Sequence, residues 1–294
     1  MKKHTLKRIR LFDVILAVFL ILLCFVMIYP VWYCFVYSLS DSIRVMIEPV
    51  TFLPVGFTLD NYKVVLQNET ILQSFFVSVA RTVCGIVYTI FITGLASYAL
   101  SKQTLPGRKF FSWYMLIPMY VSGGLLPTYV LLYNLKLFNT IWVYFIPHGF
   151  ATFYMILMRN FFEGLPADLM DAARIDGANE WVIFGKIVLP LSMPIIATVA
   201  MYIGVWQWNS WLDTQLYITK DELIPMQAIL QQILLQNASN DLQAQARLAL
   251  GTTGTSPETL RMAVVTITTV PIICIYPFFQ KYFSKGVMLG AVKA

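Results

Sequence analysis

Apolar residues follow one another along this chain in long stretches, without the strict alternation of half-buried strands or the regular stripes of soluble amphipathic helices. A helix needs about 20 predominantly apolar residues to cross a bilayer. Six stretches of that order are predicted as spans, at 11–38, 77–101, 110–133, 139–162, 190–215 and 262–284. Two of the polar segments between them are long, 40–76 and 216–261, and the second is rich in Gln, Asn and Thr. Apolar residues at helical spacing over 226–235 and 242–250 predict short amphipathic helices there. The expected fold class is all-α, a polytopic membrane protein with six transmembrane helices. A single transmembrane domain is expected over 11–294, preceded by a basic segment at 1–10.

Composition agrees. The chain is 58% hydrophobic and 12% charged, where soluble domains are about a quarter charged, so there is too little charge to coat a soluble surface. The net charge of +6 raises the possibility of nucleic acid. Its distribution excludes that partner, because the cations sit in short patches between apolar runs, as they do when they orient a chain in membrane lipid. With both termini placed in the cytoplasm, the inner side collects Lys2, Lys3, Lys7, Arg8, Arg10, Lys102, Arg108, Lys109, Arg159, Arg174, Lys186, Lys281, Lys285 and Lys293. The outer side holds Arg44, Lys63, Lys136, Lys220, Arg247 and Arg261. The first stretch is too long for a secretory signal, carries one acid, Asp13, and has no cleavage pattern after it, so it is read as an uncleaved span. Cys24, Cys34, Cys84 and Cys274 are scattered singly in apolar sequence and read as small buried residues rather than metal ligands.

The segment 163–190, between the fourth and fifth spans, reads as helix, turn, helix. Pro166 suits a first helical turn, Asp168 a helix N-terminus, Asp176-Gly177 a turn, and Asn179 the cap of a second helix ending before Pro190. Ala172 and Ala173 leave room for a close-lying backbone, while Leu169, Ile175, Trp181 and Phe184 offer apolar anchors, as on a helix held in a partner's groove. A helix lying on anionic headgroups would be basic. Here Glu163, Asp168, Asp171, Asp176 and Glu180 outnumber Arg174 and Lys186.

This segment resembles the signature of binding-protein-dependent ABC importer permeases: Glu-Ala-Ala, three residues, Gly, nine residues, Ile-x-Leu-Pro. Asp171-Ala172-Ala173, Gly177, Ile187, Leu189 and Pro190 match in spacing, with Asp171 in place of the usual Glu. Tyr98-Ala99-Leu100-Ser101-Lys102, Ser122-Gly123-Gly124-Leu125-Leu126-Pro127-Thr128-Tyr129, Trp208-Asn209-Ser210-Trp211 and the tail Lys281–Gly286 are similar to carbohydrate (maltose-type) members, best matching complex-oligosaccharide permeases. The resemblance implies a cytoplasmic coupling helix, with Asp171, Ala172, Ala173, Arg174, Asp176, Gly177, Ile187, Leu189 and Pro190 facing the ATPase. It also implies a second permease subunit, two ABC ATPase subunits that hold ATP and Mg, an extracytoplasmic solute-binding protein and a sugar substrate in the bacterial cell membrane. The chain has no G-x-x-x-x-G-K-[ST] loop, so hydrolysis and its cofactors are expected on the partners, with no cofactor, metal or catalytic residue here.

For the solute path the candidates are Tyr129, His148, Trp206, Trp208, Asn209, Trp211 and Asp213. Aromatic faces beside a few polar groups suit a sugar, although an aromatic belt at the outer interface accounts for the same Trp residues and is the favoured reading. Arg81 is expected to snorkel to the headgroups, and His148, beside Pro147, to pack with a backbone hydrogen bond. A secondary carrier would need ionisable groups at mid-membrane in repeated halves, and none is visible. A permease for a solute other than sugar is set apart only by the carbohydrate resemblance.

Overall fold

The computed structural model describes residues 11–234 and 256–291; the basic segment 1–10, the amphipathic stretch expected at 242–250 and residues 292–294 lie outside them. Among the described residues all regular structure is helical. In chain order the helices are α1 (Leu11–Ser38), α2 (Asp60–Gln67), α3 (Glu69–Ser101), α4 (Arg108–Tyr120), α5 (Leu125–Asn134), α6 (Thr152–Glu163) and α7 (Ala167–Ile175). Then come α8 (Glu180–Leu191), α9 (Met193–Asn209), α10 (Leu212–Tyr217), α11 (226–234) and α12 (Pro257–Ala291). Three of these, Leu11–Ser38, Glu69–Ser101 and Pro257–Ile275, are long and apolar enough to cross a membrane singly.

The chain forms two compact units. One contains α1, the loop after it, α2 and the opening of α12. α1 is apolar on every side yet buries only Val36 and Ser38, an arrangement suited to lipid and not to water. A buried polar knot fixes its end: Asn61 Nδ2 donates to the Ser38 and Ser40 carbonyls at 2.9 and 3.0 Å, and Ser42 Oγ lies 2.7 Å from Thr259 Oγ1.

The other unit is built around α3, which packs against α6 and α9. The buried face of α3 is small and polar, with Ser74, Ser78, Gly85, Thr89, Thr93 and Ser97 repeating at about one turn, while Phe76, Val83, Val87 and Phe91 stay exposed. This inverts the soluble pattern. In lipid, helices gain little by hiding apolar side chains from one another and associate through close backbone approach. A Cβ on Gly85 would stand 2.5 Å from Gln207 Nε2, so that crossing requires glycine. Towards the other end of α3 the core is apolar, with Tyr98, Met158, Phe162, Ile183, Phe184, Val188, Val199 and Ile203.

Three expected continuous spans are broken. Over 110–133 the chain turns by 112° between α4 and α5, where Val121 is extended and Gly124 takes φ 83°, a left-handed conformation suited to glycine. Over 139–162 only α6 is α-helical, after a short turn at Ile141–Tyr144 and irregular backbone through Pro147 and Gly149. Proline disfavours helix in the residue before it. Over 190–215 the axis bends by 82° at Ser192 and the helix stops again at Ser210. The second helix of the 163–190 segment does not end before Pro190 either. It continues to Leu191 through a π-helical stretch, Phe184–Val188, with Pro190 in the first turn after it, where a missing N–H costs least.

Candidate functional site

The segment joining α6 to α9 is shaped by three local devices. α7 opens after Pro166, with Asp168 in its first turn. It closes at Gly177, whose φ is 80° and around which a Cβ would meet nothing within 4 Å, so conformation and not space selects the glycine. Ala178 N donates to Ala173 O at 2.9 Å and Gly177 N to Arg174 O at 3.0 Å, the paired bonds of a Schellman ending. Asn179 then caps α8 by accepting from Val182 N at 2.9 Å.

This geometry divides the segment into two faces. Met170, Ala173, Ala178 and Leu189 pack on the apolar core, whereas Leu169, Ile175 and Trp181 stand outward, Ile175 being 87% exposed. Phe184, expected among the outward anchors, is buried against Tyr98 with ring centroids 5.1 Å apart; a helix period alone does not say which side of α8 meets the core. Asp171, Ala172, Asp176 and Gly177 are exposed, while Ile187 and Leu189 are half-buried on α8. Arg174 bridges Asp171 at 2.8 Å and Glu180 at 2.9 Å. Its guanidinium is held above its ordinary pKa chiefly by the hydrogen bond to Glu180. Partial burial pushes the Lys102 ammonium below its usual value, with Glu180, 3.5 Å away, opposing.

Farther along α3 and α9 two adjoining hollows share Tyr154 and Trp206. One, of about 350 Å³, is lined by His148, Phe153 and Gln207; the other, of about 670 Å³, by Tyr202, Asn209 and Trp211. The His148 ring meets Trp206 edge-on at 4.4 Å, and its carbonyl accepts from Thr89 Oγ1 at 3.2 Å. The remaining candidates are engaged in packing. Trp208 is buried against Phe75 and donates to Thr268 O at 3.0 Å, and Tyr129 packs on Phe138 and Tyr217.

Asp213 belongs to a charge cluster that was not foreseen. Arg81 is fully buried and does not snorkel. Its guanidinium pairs with both Asp213 oxygens, donates to Gln207 Oε1 at 2.9 Å and Ser210 O at 3.1 Å, and lies 4.3 Å from the centre of the Tyr144 ring. Gln207 passes the restraint on by donating to Tyr144 O at 3.1 Å. The signal was present: Asp213 is one of two acids inside the predicted spans, and an arginine sunk in apolar sequence requires such a partner.

No family model matches the chain. Curated relatives do. The polygalacturonan/rhamnogalacturonan transport system permease protein YtcP of Bacillus subtilis (strain 168) is 34% identical over 285 residues, covering 97% of this chain and 99% of the relative. The chain belongs to the permeases of bacterial sugar ABC importers. The permease is also 35% identical to protein LplC of the same organism over 290 residues, 99% of this chain and 97% of the relative. Its fold matches the crystal structure of a bacterial ABC transporter involved in the import of the acidic polysaccharide alginate, with a TM-score of 0.86 and 31% identity, covering 96% of the permease and 100% of that chain. It is therefore a membrane-embedded subunit of a sugar transporter.

Proposed function

We propose that the permease forms half of a translocation channel, working with a companion permease, two ATPases that bind ATP and Mg, and an extracytoplasmic solute-binding protein. Six crossings with both termini in the cytoplasm fit the cation distribution and count the bent pair α4–α5 as one crossing and 190–215, bent at Ser192, as another. They also count 139–162 as a crossing, although α6, with 12 residues, extends only ~18 Å and cannot span a ~30 Å core alone. Non-helical backbone at membrane depth is stable only where protein buries it or a wet cavity adjoins it. The irregular stretch holding His148 lines the first hollow, which supports the Trp206, His148, Asn209 and Trp211 surface as part of the sugar path, the aromatic faces stacking and Asn209 giving a polar contact.

α7 and the turn after it form the ATPase-docking element. The observation that carries this reading is a helix held from behind by the core while presenting Leu169, Ile175 and Trp181 outward, at the position of the acidic-Ala-Ala…Gly signature. Burying an exposed side chain of that size is worth about 1.5–3 kcal/mol, and driving a two-state switch from 1:99 to 99:1 needs about 5.5 kcal/mol of differential interaction. A few such anchors reach that scale where the ATPase buries them in one state and releases them in the other. Among sugars, oligosaccharides bearing uronate units are the first class to test, given the transport roles named for YtcP and the alginate importer.

The test is ATPase activity of the reconstituted importer with its binding protein and oligogalacturonides, comparing wild type with Asp171→Lys and Gly177→Trp. The docking reading predicts loss of solute-stimulated hydrolysis and weaker retention of the ATPases on purification. Unchanged stimulation in both variants would place the ATPase contact elsewhere.

A further inference from the structure

α7 has nine residues and buries none of them outright. A helix that short is not stable by itself, and only Met170 and Ala173 tie it to the core. Yet a docking helix is useful only if its displacement reaches the spans. Both of its flanks carry a glutamate linked to the end of α3, one through Arg108 at the start of α4 and the other directly through Tyr98 and Lys102. On the leading flank Glu163 binds Arg108, whose Nε donates to Leu100 O at 2.8 Å, and Arg159 at 2.9 Å. On the trailing flank Glu180 accepts the Tyr98 hydroxyl and faces Lys102 at 3.5 Å, while Arg174 joins it to α7. The Lys102 ammonium also lies 4.4 Å from the centre of the Tyr98 ring and 3.5 Å from Met170 Sδ.

We infer that Glu163 and Glu180 are positioning residues, a pair of clasps that make α7 and the C-terminal end of α3 move as one piece. Neither lies on the outward apolar face, so they act on transmission and not on docking. Their side chains are 34% and 54% exposed, so they can be loosened without opening the core. The inference rests on α7 being the ATPase-facing helix.

The test uses the complete importer in lipid nanodiscs, with Cys24, Cys34, Cys84 and Cys274 replaced by Ser and spin labels at the exposed positions Thr104 and Asp168. Interspin distances are measured without nucleotide and with ATP and vanadate. A rigid piece gives one narrow distance, the same in both states, and Glu163→Gln with Glu180→Gln abolishes that sharpness while the ATPases remain bound. Tyr98→Phe, which keeps the ring packing and removes only the hydroxyl, broadens the distribution to a lesser degree. A wild-type distance that changes with nucleotide, or a double variant as sharp as wild type, overturns the inference. Gly177→Trp separates the two claims. If it releases the ATPases while the clasp variants stay rigid, docking stands and the clasps fall; if it retains them, the docking assignment itself has failed.

Discussion

The permease holds charge in two contrasting ways. The Arg81–Asp213 pair is sealed, with side-chain exposures of 0% and 8%, and its free positions are taken by Gln207, Ser210 and the Tyr144 ring. The pairs around Glu163 and Glu180 are partly wet, and each carboxylate is shared among several donors. Removing one partner of a buried pair strands a charge and costs about 3–5 kcal/mol, whereas an exposed pair contributes about 0–1 kcal/mol. The first arrangement suits a part that must keep one geometry, here the frame behind Gln207 and Trp206. The second suits a joint, where partners must hold position under load yet tolerate small rearrangements.

The largest effect is expected at the sealed pair. Asp213→Ala should lower the stability of the detergent-solubilised permease by ~3–5 kcal/mol, visible as a large fall in thermal unfolding temperature, because among the described residues Asp213 is the only carboxylate paired with Arg81. The double replacement Arg81→Met with Asp213→Leu should recover most of that loss. If it does not, the pair is needed for more than charge balance. A smaller effect is expected at the turn after α7: Gly177→Ala should cost about 1–2 kcal/mol, since the left-handed conformation is strained for any side chain although space is open. The smallest is at the clasps. Glu163→Gln should change unfolding by no more than about 1 kcal/mol, and that difference should shrink in high salt while the Asp213→Ala loss persists. A salt-sensitive Asp213→Ala effect would erase the contrast between the regions.

Much of this architecture was legible in the residues, though unevenly. α1 runs over the predicted 11–38 because nothing between Leu11 and Ser38 interrupts an apolar helix except Pro30, which it accommodates. The turn at Asp176-Gly177 and the Asn179 cap could be read because they depend on residues three or four apart. Hydropathy reports length in apolar sequence and nothing about direction, so it ran 110–133 across the bend between α4 and α5, and 190–215 across the breaks at Ser192 and Ser210. The Gly123-Gly124 and Ser192-Met193-Pro194 steps mark the breaks only once the backbone is seen. Arg81 and Asp213 are 132 positions apart in the chain, a separation no local pattern bridges. Phe184 lies inward at the start of a π turn that no residue spacing announced.

That π turn, Phe184–Val188, amounts to one residue more than an α-helix would hold over the same rise. An α-helix advances about 100° per residue, and the wider turn absorbs the extra residue, so the stretch beginning at Glu180 and the stretch ending at Leu191 keep nearly the phase of a regular helix one residue shorter. Tightening Phe184–Val188 to regular α-helix with all of its residues kept would swing Glu180 by about 100° around the axis, away from Tyr98. The chain would keep every hydrogen-bonding group of its signature and lose their alignment. In α8 the wide turn works as a phase keeper, setting the angle at which one end of a continuous rod answers a turn of the other.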